Sequence, residues 1–285
     1  MLVVELLLED GADVNNQGGR YGNALQCAAS NGGSLEIVKL LVEKGADVNA
    51  HGGYLGTAAI AAAFSGSIEI LLFLLQSGAN IHTPGGHFGC ALQAAAWKGE
   101  TATVKFLLEH GADMGLSCGE FVNPLLAAAW SGHLDLVDLF IDRGMHSDTR
   151  GPRRGFPLQA AVRRKKVHVV ERLLERGANV NLQSGVCGSA LHAAIAGGSA
   201  GLVKRLVESG ADLSIANRKG LSALQAEAAK GNMEIVRILV DAGADIATTS
   251  GGGAAEDLAN QGSHAGVAKF LEKKRAQGRS QESKT

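Results

Sequence analysis

The sequence predicts an all-α solenoid of stacked helix-turn-helix units joined by hairpin-like loops. Three observations predict it. Glycine recurs on a ruler at Gly11, Gly45, Gly78, Gly111, Gly144, Gly177, Gly210 and Gly243, with one interval of 34 residues and six of 33. A fixed period in this range is the signature of stacked repeats. Each interval also carries two apolar stretches at helical spacing. Composition agrees: 46% of residues are hydrophobic but only 4% aromatic, so small helices can pack closely.

The elements follow in chain order. Met1 to Glu9 reads as the second helix of a unit without a first helix before it, closed by Gly11. A terminal repeat ordinarily carries a polar outer face, and Leu2 and Val3 do not supply one, so the start is expected to fray and to belong to a longer array. From Gly11 each unit has three parts. A polar, glycine-rich link such as Asn15-Asn16-Gln17-Gly18-Gly19-Arg20 is expected to turn like a hairpin. A short helix follows, as in Asn23 to Ala29, with Leu25, Ala28 and Ala29 on one stripe and Asn23 as its cap. A second helix such as Leu35 to Glu43 carries Ile37, Val38, Leu40 and Leu41, and Gly45 ends it in the left-handed conformation. In the unit at Thr101 to Glu109, Val104, Phe106, Leu107 and Leu108 are expected to face the core. The count is one orphan second helix over 1–10 and eight units to 274, then a polar tail, 275–285, expected to be disordered.

The fifth unit departs most. Lys165 stands where Gly66, Gly99, Gly132 and Gly231 end the first helix elsewhere. Lysine in a left-handed turn costs about 1 kcal/mol.

These units resemble ankyrin repeats. The family's Thr-Pro-Leu-His segment reads here as Asn23-Ala24-Leu25-Gln26, Cys90-Ala91-Leu92-Gln93, Asn123-Pro124-Leu125-Leu126, Ser189-Ala190-Leu191-His192 and Ser222-Ala223-Leu224-Gln225. Its Gly-Ala-Asp-Val-Asn segment is intact at Gly11 to Asn15 and Gly45 to Asn49. The Gly-Gly-x-Tyr/Phe-Gly links, as at Gly85 to Gly89, look like those of filamentous-fungal arrays that follow a NACHT module. The resemblance implies a non-catalytic, protein-binding scaffold, with the recognition part of a larger immune-type protein as the narrower expectation.

In that family the last residues of the first helix face the concave groove and vary with the partner. Here they are Ser30-Asn31, Phe64-Ser65, Trp97-Lys98, Trp130-Ser131, Arg163-Arg164, Ala196-Gly197 and Ala229-Lys230. Phe64, Trp97, Lys98 and Trp130 are therefore candidate partner contacts, since aromatic and basic anchors dominate interfaces. A second ladder runs through the links at Tyr21, Leu55, Phe88 and Phe121. It is expected to pack hairpin on hairpin, with Tyr54, Phe88 and Phe121 as the groove's wall.

Charge is the third feature. The whole chain carries −1, which gives no general pull toward nucleic acid or anionic membrane. Residues 143–176 nevertheless hold ten Arg or Lys against three acids. Arg153, Arg163 and Arg164 join the candidate contacts, and the expected partner is a protein or peptide with apolar anchors and an acidic segment. Single-stranded nucleic acid stacking on the tryptophans, or a spacer with an empty groove, are the alternatives.

Nothing points to catalysis. Gly85 to Gly89 and Gly197 to Gly201 are glycine-rich but follow no strand, so the dinucleotide fingerprint lacks its context. His51, His82 and His87 lack tight metal-ligand spacing and are expected to be solvated. Cys27, Cys90, Cys118 and Cys187 show no C-x-x-C spacing and occupy different repeat positions, so neither a disulfide framework nor a zinc site is expected. No cofactor is implied, and an intracellular, reducing compartment, cytoplasmic or nuclear, is the corresponding expectation.

Overall fold

The computed structural model describes residues 1–30, 33–151, 155–184, 188–249 and 252–282. Arg153, Arg154 and Cys187 lie outside them. The described residues form helices and isolated bridges, with no extended strand. They divide into two compact units, Met1–Pro157 and Leu158–Thr285.

The first unit contains α1 (Leu2–Glu9), α2 (Ala24–Ala29), α3 (Leu35–Glu43), α4 (Ala58–Phe64), α5 (Ile68–Gln76), α6 (Ala91–Lys98), α7 (Thr101–Glu109), α8 (Pro124–Ser131) and α9 (Leu134–Asp142). At its boundary α10 (Pro157–Arg163) begins. The second unit holds α11 (Val167–Glu175), α12 (Ala190–Ala196), α13 (Ala200–Glu208), α14 (Ala223–Ala228), α15 (Met233–Asp241), α16 (Ala255–Gln261) and α17 (Ala265–Glu282).

Within the first unit the short helices stack in series, α2 on α4 on α6 on α8, and each packs on the longer helix that follows it. In the second unit α12, α14 and α16 stack likewise, and α13, α15 and α17 form the outer row. The short helices are almost all alanine and leucine. In α4, Ala58 through Ala63 are each at most 3% exposed, and the small side chains let a helix lie against a neighbour on both sides. The longer helices bury only one stripe, such as Leu136, Val137 and Phe140 in α9.

That stripe is narrower than expected in α7. Val104 and Leu107 are fully buried, but Phe106 and Leu108 are half-buried and Thr103 takes the remaining core place. Phe106 instead stacks on His110 one turn on, with ring centroids 4.0 Å apart. Helix α1 buries no residue, and Leu2, Val3, Leu6 and Leu7 are all more than half exposed. At the other end the tail expected to be disordered is helical over 275–282, where α17 continues to Glu282, and 283–285 lie outside the described residues. The segment after Arg275 has no proline, and its Gln, Arg and Glu are good helix formers that extend a turn already anchored by Val267 and Leu271.

The links turn as antiparallel bridges: Gly18 with Gly22, Gly52 with Gly56, Gly85 with Gly89, Cys118 with Val122, Gly151 with Gly155 and Ser184 with Gly188. Successive links also bond to one another, for example Tyr54 N–H to the Arg20 carbonyl at 2.7 Å and His87 N–H to the Tyr54 carbonyl at 2.9 Å. Asparagines tie the bends together. Asn49 donates to the Gly78 carbonyl at 2.9 Å and accepts from the Asn80 N–H at 2.9 Å. Asn15 and Asn181 make the same pair of bonds to their following repeats.

The turn between the two helices of a repeat needs a left-handed residue, and at Gly99 it also needs the missing Cβ. Gly99 has φ +90°, and a Cβ there would stand 2.4 Å from the His133 ring. His133 uses that space to reach the Trp97 carbonyl at 3.0 Å. In the fifth unit Lys165 keeps the same turn, at φ +54°. Its strain should be removable. Lys165→Gly is expected to raise stability by about 1 kcal/mol in equilibrium denaturation. An unchanged or lower midpoint would mean that the lysine side chain compensates for its backbone.

Candidate functional site

The candidate contacts of the first unit lie where the ends of α4, α6 and α8 meet the links. Phe88 sits at the centre and is 0% exposed. Phe64 packs on it at 5.0 Å between ring centroids and Trp97 at 4.9 Å, while Phe64 and Trp97 stack on each other at 5.8 Å and 17°. Trp130 meets Phe121 at 6.3 Å, edge to face, and Phe121 is 1% exposed. Phe88 and Phe121 are therefore corrected from wall to foundation: a partner cannot reach them. Phe64, Trp97 and Trp130 are half-buried, each with part of its ring left to solvent. The rings lean away from the Leu/Ala stripe because that stripe already packs α4, α6 and α8 together. Lys98 is exposed, with Nζ 5.3 Å from the Phe64 ring centroid.

A second row crosses the tips of the links, one residue before the buried ladder. Arg20 lies over the Tyr54 ring at 5.3 Å. Tyr54 stacks on His87 at 5.1 Å and 16°, and His87 Nε2 meets Glu120 at 2.8 Å. Tyr54 is 40% exposed and also edges Phe88 at 5.7 Å. His87 stands at right angles to both Phe88 and Phe121. The expectation of a solvated His87 thus gives way to a ring held on four sides. The sequence held a signal for this row. Tyr54, His87 and Glu120 are each 33 residues apart. An arginine, a tyrosine, a histidine and a glutamate share no chemistry, so the register alone marked them.

In the second unit Arg163 and Arg164 end α10 and are exposed. His192 is 4% exposed at the start of α12, with Nδ1 3.0 Å from the Ser189 hydroxyl. Burial pushes its pKa down, opposed by the hydrogen bond to the Leu221 backbone. No group of three His, Cys, Asp or Glu among the described residues is placed to hold a metal ion. No helix among them is long and apolar enough to cross a membrane.

The family model for ankyrin repeats in three copies matches residues 1–85, 92–184, 158–250 and 191–280. The chain belongs to the ankyrin-repeat family. The crystal structure of the human ASB11 ankyrin repeat domain is similar, with a TM-score of 0.64 and 26% identity over 74% of this chain and 95% of that one. No curated protein matches the chain. Ankyrin repeats generally mediate protein–protein interaction, and the described geometry fits that use: rings seated on a buried platform, rimmed by charge.

Half-burial predicts how these rings divide their roles. Trp97→Ala is expected to cost about 1–2 kcal/mol of folding stability, against about 3 kcal/mol or more for Leu107→Ala in the fully buried stripe. Denaturant unfolding of both variants checks this, and equal losses would make Trp97 a core residue.

Proposed function

We propose that this ankyrin array is a non-catalytic scaffold that binds a protein or peptide segment across the face carrying Phe64, Trp97 and Trp130. The observation that carries the reading is the platform. Phe88 and Phe121 fix the three half-exposed rings before any partner arrives, so little side-chain entropy remains to be lost on binding. Tyr54 and Lys98 border the face with a hydroxyl and an ammonium group. Arg163 and Arg164 hold the repeat positions equivalent to Trp130 and Ser131, and their charge favours acids in the partner. The Gly-Gly-x-Tyr/Phe-Gly links support the narrower reading that the array is the recognition part of a larger fungal immune-type protein.

A displayed peptide library panned on the full chain tests the proposal. Binders are expected to combine apolar anchors with Asp or Glu. For a selected peptide, Trp97→Ala and Trp130→Ala should each weaken binding by about 2 kcal/mol. Arg163→Glu with Arg164→Glu should mainly slow association and invert its salt dependence. Peptides that bind wild type and both tryptophan variants equally would place the contact face elsewhere.

A further inference from the structure

We propose that Cys90 and Cys118 are an oxidisable thiol pair that closes into a disulfide between the start of α6 and the link that follows α7. Sequence spacing gave no hint of it, because the two residues hold different positions in successive repeats.

Five observations bring them together. Cys90 is the N-cap of α6 and makes no capping hydrogen bond, whereas Asn23, Thr57, Asn123, Ser189 and Ser222 at equivalent positions all accept one. Cys118 opens its link where Gly52, Gly85, Gly151 and Ser184 stand in the others. Both sulfurs touch the same side chain: Cys90 Sγ lies against Gln93 Oε1, and Gln93 Nε2 donates to Cys118 Sγ at 3.3 Å. The thiols are also within hydrogen-bond reach of each other. The backbones leave no gap, since a Cβ on Gly89, the residue before Cys90, would stand 2.5 Å from the Cys118 carbonyl carbon.

The pair is divided in accessibility and in charge. Cys90 is 2% exposed, while Cys118 is half-buried and open to a small oxidant. The hydrogen bond from Cys118 holds the Cys90 thiol below its usual range, aided by the Gln93 and Leu92 amides at the start of α6. The same hydrogen bond, then burial, pushes the Cys118 thiol up.

Hydrogen peroxide is the oxidant class that fits. The Cys118 sulfur attacks one peroxide oxygen; an S–O bond forms, the O–O bond breaks, and the departing hydroxide takes the thiol proton as water. The Cys90 sulfur then attacks the sulfenic sulfur of Cys118. The S–S bond forms, the S–O bond breaks, and the hydroxyl leaves as water with the remaining proton. Two thiols and one peroxide become one disulfide and two waters, with two electrons passing from sulfur to oxygen. The raised Cys118 pKa makes the first step the slow one, so disulfide accumulates rather than sulfenic acid. The bond would fasten the helix bearing Trp97 to the link bearing Phe121.

The test is peroxide treatment of the reduced full chain, followed by non-reducing digestion and mass spectrometry. The expected result is a loss of about 2 Da, reversed by dithiothreitol. It should appear in one cross-linked species joining the Cys90 and Cys118 peptides, with a higher thermal midpoint after oxidation. Cys118→Ser, which copies Ser184, should abolish the cross-link and the midpoint shift. Cys90→Ser, which copies the caps at Ser189 and Ser222, should leave a trappable sulfenic acid on Cys118. Two free thiols at these positions while exposed Cys27 is oxidised, or a cross-link from either one to another cysteine instead, would overturn the proposal.

Discussion

Gln26 is 1% exposed, and its side-chain amide is spent entirely on backbone. Its Oε1 accepts from the Asn23 N–H at 2.8 Å, closing the start of α2. Its Nε2 donates to the Ala50 carbonyl at 2.8 Å and the Gly56 carbonyl at 2.7 Å, both in the link of the following repeat. The bracket returns at Gln93, which donates to the Leu116 and Val122 carbonyls. It returns at Gln159, to Leu182 and Gly188, and at Gln225, to Thr248 and Gly253. The Gly56, Val122 and Gly188 carbonyls also accept from the N–H of Gly52, Cys118 and Ser184 within their own links, and a carbonyl such as that of Ala50 left unpaired costs about 1–3 kcal/mol. A glutamine in every second unit thus holds the next link in register, and Gln26 and Gln225 also cap their own helices. Between them stand Ile60, Leu126 and His192, where the hydroxyl or amide of Thr57, Asn123 and Ser189 does the capping.

The aromatic face depends on this register. The Gln93 bracket holds the link that delivers Phe121 into the core, backbone bonds to the preceding link hold the one that delivers Phe88, and the buried rings then support Phe64, Trp97 and Trp130 from below. The link tips, fixed by backbone bonds from Tyr54 to Arg20 and from His87 to Tyr54, bring four unlike side chains into one row. The thiols of Cys90 and Cys118 meet around Gln93, at one of the same brackets.

The architecture was legible because it is written many times over. The glycine of the second helix recurs eight times, and its φ values from +78° at Gly177 to +94° at Gly144 show why no other residue serves as well. Lys165 was legible as an exception for the same reason. Features carried by a single repeat, or by a contact between repeats, were not. Phe88 and Tyr54 look alike in composition, yet one is buried and the other is 40% exposed, because adjacent residues of a link point to opposite sides. The row from Arg20 to Glu120 joins residues with nothing in common but position. The cysteines were read as unrelated because they hold different repeat positions, whereas the stacking of Gly89 on Cys118 makes those positions neighbours. The last helix was read too short because a polar sequence signals solvent exposure, which is compatible with helix once the preceding turn is docked.

If the glutamine bracket sets the register of the repeats, its removal must cost far more than the loss of a surface amide. Equilibrium denaturation of Gln26→Ala beside Gln76→Ala, at the exposed end of α5, measures the difference. The bracket predicts a loss of about 3 kcal/mol for Gln26→Ala, for three hydrogen bonds and the stranded Asn23 N–H and Ala50 carbonyl, and at most about 0.5 kcal/mol for Gln76→Ala. Equal, small losses from both substitutions would contradict the account.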